Sequence, residues 1–247
     1  MTTRVVCLSV LTIGLAVWCV PVQAEPALTV DPAEFNFGYV PQNSAISRVF
    51  RLRNDGDDTL TITTVVPGCG CTKTPLQKST LAPGEDTELE IIFSTRTYSG
   101  RVTKRPRIET NEASQPRYVP IYANVVTRPD STYPLQVKPY KLDLSQFGTT
   151  VRDQMKFTLA NVSDTSLAVT LAYFPDDLMT VEIPESIGAN ASVGATVRLV
   201  EAAVEQSFEK SITIQLGDRS GSRYTIPIKR QVRSPLGRAA DLGSDTR

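Results

Sequence analysis

The feature that most constrains this chain is a strand-and-turn pattern written twice. Phe50-x-Leu52-x-Asn54, with Leu60 six residues further on, returns as Phe157-x-Leu159-x-Asn161 with Leu167 six residues further on, an offset of 107. At the same offset Val119-Pro120-Ile121 meets Ile226-Pro227-Ile228. Upstream, Phe37-Gly38 is matched to Phe147-Gly148 with a small length difference. Apolar alternation alone recurs by chance; turn and proline positions matched at both ends of a unit do not. With 247 residues, the chain can hold two such units, each burying its own core.

Within a unit the apolar period is two. Ile46, Phe50 and Leu52 share a face, as do Leu60, Ile62 and Thr64, then Leu89, Ile91 and Phe93, and finally Val119, Ile121, Ala123 and Val125. Asn54-Asp55-Gly56-Asp57-Asp58, Pro67-Gly68, Ala82-Pro83-Gly84-Glu85 and Tyr98-Ser99-Gly100 separate them with residues that turns require. No 3.6-residue apolar stripe is sustained after residue 24. The pattern predicts an all-β protein of two tandem β-sandwich domains, an all-β barrel being the competing architecture. The expected boundaries are 27–126 and 135–233. A linker at 127–134 contains Pro129, and a tail at 234–247 lacks a strand pattern and is expected to be disordered.

Residues 1–24 have the layout of a secretory signal peptide. Arg4 precedes an apolar run from Val5 to Val20, followed by Pro21 and the small-residue ending at Ala24. A retained membrane anchor is the alternative, but the run is short for a bilayer. A lipoprotein beginning at Cys19 would have the bulky Trp18 where a small residue is preferred. No later stretch is apolar enough to span, so the expectation is an exported protein, periplasmic or extracellular, with no transmembrane segment after signal removal.

Removing the signal takes Arg4, Cys7 and Cys19, leaving 25 basic against 26 acidic groups and the single pair Cys69 and Cys71. A chain so nearly neutral lacks the basic face that nucleic-acid binding needs, so no nucleic acid is expected as partner. There is no His, which removes Ser-His-Asp and Cys-His nucleophiles and His-ligated zinc. Phosphate loops, nucleophile elbows and HExxH are absent as well, and the chain is expected not to be an enzyme.

Residues 33–126 resemble the DUF1573 family, through Phe35-Asn36-Phe37-Gly38, Phe50-Arg51-Leu52-Arg53-Asn54-Asp55-Gly56, Leu60-Thr61-Ile62 and Pro67-Gly68-Cys69-Gly70-Cys71-Thr72. Leu81-Ala82-Pro83-Gly84-Glu85, Gly100 and Thr110-Asn111 extend the likeness. The resemblance implies an immunoglobulin-like fold related to ASH and major-sperm-protein-like domains, modules that usually mediate interactions, and implies no established activity. The second unit has Phe174-Pro175-Asp176-Asp177-Leu178 where the first has the cysteines. It reads as immunoglobulin-like and is not assigned to the same family.

Cys69 and Cys71 are the one constellation with chemistry. On an extended segment they would project to the same side, with Gly68 and Gly70 leaving them unshielded. They read as a local disulfide or apolar filler, as a thiol-redox pair favoured by the nearby Lys73, or as a Cu(I) site, because two soft thiolates without His suit Cu(I) better than zinc. Met155 and Met179, in the other unit, are poor further ligands. The basic stretch Arg96, Arg101, Lys104, Arg105, Arg107 and Arg117, interrupted by Glu109 and Glu112, reads as a solvated face, with docking of an anionic partner as the lesser alternative. Asn161-Val162-Ser163 and Asn190-Ala191-Ser192 match the glycosylation triplet, a pattern common by chance. The functional expectation is a non-enzymatic interaction or structural module of the cell envelope that meets another envelope or secreted protein through loops and sheet edges. The alternative is a periplasmic Cu(I)-binding or thiol-redox protein.

Overall fold

The computed structural model describes residues 24–113 and 116–233. Residues 1–23 of the signal peptide expected at 1–24, and the tail expected at 234–247, lie outside the described residues. The first unit contains β1 (Leu28–Asp31), β2 (Phe35–Pro41), β3 (Ala45–Asn54), β4 (Leu60–Val66), β5 (Thr72–Lys73) and β6 (Thr80–Leu81). It continues with β7 (Asp86–Ser94), β8 (Gly100–Lys104), β9 (Arg107–Thr110), β10 (Arg117–Tyr118) and β11 (Ile121–Val126). After a 3-10 turn at Pro129–Ser131 come β12 (Leu135–Lys138), β13 (Leu142–Asp143), β14 (Gln154–Asn161), β15 (Leu167–Tyr173) and β16 (Met179–Glu182). The last strands are β17 (Ser186–Ile187), β18 (Ser192–Leu199), β19 (Phe208–Leu216) and β20 (Arg223–Arg230).

These strands make two immunoglobulin-like sandwiches and no closed barrel. In the first, the sheet β1-β3-β7-β5 covers a second layer built from β2-β11-β8 and β10-β9-β4-β6. Pro106 and Pro120, each lacking an N–H, interrupt that layer, yet Ile121 opposite Lys104 and Tyr118 opposite Arg107 keep one antiparallel register across the break. In the second sandwich β12-β14-β18-β16 covers β17-β15-β19-β20, with β13 also paired to β20. Buried apolar side chains fall into two clusters, one around Phe37, Phe50, Leu52, Leu89 and Ile91, the other around Leu159, Val197, Ile212, Ile214 and Ile226.

The duplication is visible in polar detail. Buried Asn54 donates through Nδ2 to Asp58 O at 2.7 Å and Leu81 O at 3.1 Å, while its Oδ1 accepts from Gly56 N at 3.0 Å. Buried Asn161 does the same for Thr165 O at 2.8 Å, Ile187 O at 3.1 Å and Ser163 N at 2.9 Å. Each amide ties a strand end, a turn and the neighbouring sheet together, which backbone groups leaving a sheet need if they are not to be buried unpaired.

The upstream match is corrected. The parallel pairs Phe35 with Ile121 and Leu142 with Ile228 align at the common offset, so Leu144 is the counterpart of Phe37. Leu144 and Phe37 are both buried, whereas Phe147 is 62% exposed. Pairing with the last strand sets the register here, and Phe147 lies beyond the strand.

The sandwiches are held against each other by polar contacts. Tyr39 of β2 pairs with Tyr224 of β20, which runs one eight-stranded sheet through both halves. Gly38 sits at φ 66°, and a Cβ there would lie 2.0 Å from the Arg223 carbonyl oxygen, so only glycine fits this backbone approach. Thr225 Oγ1 donates to Phe37 O at 2.7 Å, and Tyr140 OH to Tyr39 O at 2.7 Å. Fully buried Ser211 accepts from Ser47 N at 3.0 Å and donates to Ser47 O at 2.9 Å.

Candidate functional site

Two places carry chemistry. The first is the crossover from β4 to β5. Cys69 and Cys71 are joined as a disulfide, with Cα atoms 5.2 Å apart. An extended segment would hold i and i+2 about 6.6 Å apart, so the extended expectation is corrected: the pair forms a turn. Gly68 at φ 80° starts it, and Thr72 N donating to Cys69 O at 3.2 Å closes it. Cys71 is buried in the core and Cys69 is half-buried at its edge.

The surroundings of the sulfurs are polar and cationic. Thr72 Oγ1 lies 3.3 Å from Cys69 Sγ and 3.8 Å from Cys71 Sγ. Tyr98 OH donates to Cys71 Sγ at 3.5 Å, and its oxygen accepts from Lys104 Nζ at 3.1 Å. Arg96 donates to Gly70 O at 3.1 Å. Lys73 is not among these donors, because strand alternation buries Thr72 and turns Lys73 outward. Two residues of the basic stretch, Arg96 and Lys104, therefore serve this turn, while Arg107 is ion-paired to Glu109 at 2.6 Å. The sequence offered one hint, Tyr98 in the turn between them, but only the fold brings it to the sulfur. As metal ligands the two sulfurs are engaged with each other, and among the described residues no group of three His, Cys, Asp or Glu gathers to hold a metal ion.

The second place is a cleft of about 570 Å³ where the sandwiches meet. Arg48, Glu88 and Glu90 line it from the first, and Tyr173, Phe174, Asp176, Asp177 and Lys210 from the second. The Arg48 guanidinium lies 4.0 Å from the Tyr173 ring centre and 5.0 Å from that of Phe35. Its Nε is buried and has no hydrogen-bond partner among the described residues. Desolvation lowers the Arg48 pKa, and desolvation also pushes the Tyr173 hydroxyl up to about 12. Lys210 is paired with Glu90 at 2.7 Å, and Gln77 donates to Glu88 at 2.7 Å. Asp176 and Asp177 form no ion pair among the described residues, so the second-sandwich side of the mouth is acidic. Nothing in the sequence placed Arg48 opposite Tyr173, 125 positions apart.

Most sheet edges are short. The outer strands β1, β5, β6, β10, β12, β16 and β17 are two to four residues long, short templates for strand addition, and the outer strand β8 has five residues. Among the described residues no helix is long and apolar enough to cross a membrane.

Residues 28–125 match the family described as a protein of unknown function, DUF1573. No curated protein matches the chain. Among solved structures, a protein of unknown function from Porphyromonas gingivalis W83 is 16% identical, with 83% of this chain and 99% of that one covered and a TM-score of 0.34. An ASH/PapD-like domain of human CEP192 is 8% identical, covering 49% of this chain and all but 1% of its own (99%), at a TM-score of 0.36. WR4, a C. elegans MSP family member, is 14% identical, covering 41% and 100%, at a TM-score of 0.32.

Proposed function

Taking the first sandwich as a DUF1573 domain, we propose that the protein is an exported, non-enzymatic interaction module of the cell envelope. The observation that carries this reading is the cleft between two sandwiches held in a fixed relation. A site made of side chains from both halves is preformed, so a partner does not have to order it on binding. Arg48 on the aromatic floor and the acidic mouth at Asp176 and Asp177 suit a protein segment carrying both signs of charge. Export is supported by the pattern of residues 1–24 and by the disulfide, since such bonds persist mainly in oxidising compartments.

The test is a photo-crosslinker at position 77, at the mouth of the cleft, used in envelope extract with and without Asp176→Lys plus Asp177→Lys. Recovery of a crosslinked partner is expected to fall roughly tenfold in the charge-reversed protein. An unchanged set of adducts, or none from either protein, overturns the cleft as the binding site.

A second reading makes Cys69 and Cys71 the functional group, as a redox pair or a Cu(I) site. It is supported by Leu178, which fills the corresponding place in the second sandwich without sulfur. Copper capture would first require the disulfide to be reduced, since the thiolate is the ligand.

A further inference from the structure

We propose that the Cys69–Cys71 turn is a thiol–disulfide exchange site, accepting two electrons from an external dithiol while the sandwich stays folded. The inference is independent of the cleft.

The two sulfurs have different roles. Cys69 Sγ belongs to the half-buried residue between exposed Gly68 and Gly70, and no side chain on those neighbours blocks an approach. Cys71 is buried and faces the donors. A thiolate of the dithiol attacks Cys69 Sγ and forms a mixed disulfide. The Sγ–Sγ bond breaks and its electron pair leaves on Cys71 Sγ. The second thiol of the dithiol, deprotonated in turn, attacks its own partner sulfur and releases Cys69 as a thiolate. The dithiol leaves as a cyclic disulfide, and its two protons end on the protein thiols or in solvent. The protein pair is reduced by two electrons and the dithiol is oxidised by two.

Tyr98, Lys104, Thr72 and Arg96 are positioned for the charge this step creates. The Tyr98 hydroxyl already donates to the departing sulfur at 3.5 Å, and Lys104, donating to Tyr98 at 3.1 Å, polarises that hydroxyl further. Lys104 Nζ lies 4.4 Å from the Tyr98 ring centre and 5.7 Å from that of Phe93, which keeps it at the turn. The Thr72 hydroxyl can turn to either sulfur, and Arg96, fixed to Gly70 O, adds a second positive charge. Cationic surroundings favour the thiolate, and a better-stabilised leaving thiolate departs faster. The second sandwich, with Asp176 and Leu178 in the corresponding turn, has none of this. The assembly is specific to the sulfurs rather than to the fold.

The test equilibrates the full chain with graded ratios of reduced to oxidised dithiothreitol, traps free thiols by alkylation, and counts them by mass, with circular dichroism recorded in parallel. The pair is expected to open and close reversibly with an unchanged near-ultraviolet spectrum. Lys104→Gln and Tyr98→Phe are each expected to need a reduced-to-oxidised ratio about tenfold higher for half-reduction at pH 8, because the first removes the charge that polarises the Tyr98 hydroxyl and the second removes the hydroxyl that donates to the thiolate. Tyr98→Phe keeps the ring against Phe93 and so separates the hydroxyl from packing. Reduction that occurs only on unfolding, or half-reduction ratios equal to wild type in both variants, overturns the proposal.

Discussion

The two sandwiches make the same crossover with different turns and different chemistry. In the first, Thr72 N donates to Cys69 O at 3.2 Å; in the second, Met179, which corresponds to Thr72 at the repeat offset, donates its N–H one residue further back, to Pro175 O at 3.1 Å. Cys71 and Leu178, which correspond at the repeat offset, are each 7% exposed. An aliphatic side chain therefore does the packing that a cysteine does, and the sulfur pair is additional to what the fold requires. What differs is the neighbourhood. One turn faces Tyr98, Lys104 and Arg96; the other presents Asp176 and Asp177 to the cleft between the halves. A duplicated scaffold has kept its framework and put different groups at one repeated position.

The severest challenge to the picture of two locked halves is Gly38→Ala. The new Cβ would meet backbone 2.0 Å away at a φ of 66°, so nothing flexible can yield. A loss on the order of 4 kcal/mol is expected, with calorimetry resolving two transitions as the halves separate. A single transition at the wild-type temperature would mean that the junction is softer than described.

Asn54→Ala and Asn161→Ala sharpen the equivalence of the two frameworks. Each removes a buried amide from two or more backbone carbonyls and a backbone N–H, and each is expected to cost about 3 kcal/mol in urea unfolding. Losses differing severalfold would show that only one half sets the global stability.

The smallest effect is expected from making the first turn resemble the second. Cys69→Ser with Cys71→Leu removes a crosslink that closes a very short loop and refills the buried position, so the cost should not exceed about 1.5 kcal/mol. A much larger loss in thermal melting would make the disulfide a structural necessity and weaken the exchange proposal.

The strands and the repeat were legible because alternation of period two is a local property. Phe50, Leu52 and Leu89 could only turn inward together, and their partners Phe157 and Leu159 repeat the pattern. Asn54 and Asn161 were legible as turn residues, but their shared work as buried ties depends on a carbonyl 26 or 27 residues away. Phe147 misled because Phe-Gly looks like Phe37-Gly38, whereas pairing with β20 chose Leu144. The cysteines were found as candidates and Pro67-Gly68 as a turn, but the turn was not carried through Cys71, because positive φ at Gly68 is permitted by the residue and not dictated by it.

By itself the sequence determined an all-β chain with one duplicated plan and a cysteine pair in a single copy, since side-chain period and turn chemistry act over a few residues. Only the tertiary structure decided which groups meet. Tyr98 reaches the Cys71 sulfur with Lys104 bonded behind it, and Arg48 reaches Tyr173, through contacts between segments distant in the chain. Such contacts are fixed by the packing of whole sheets, for which no local pattern is a sufficient cause.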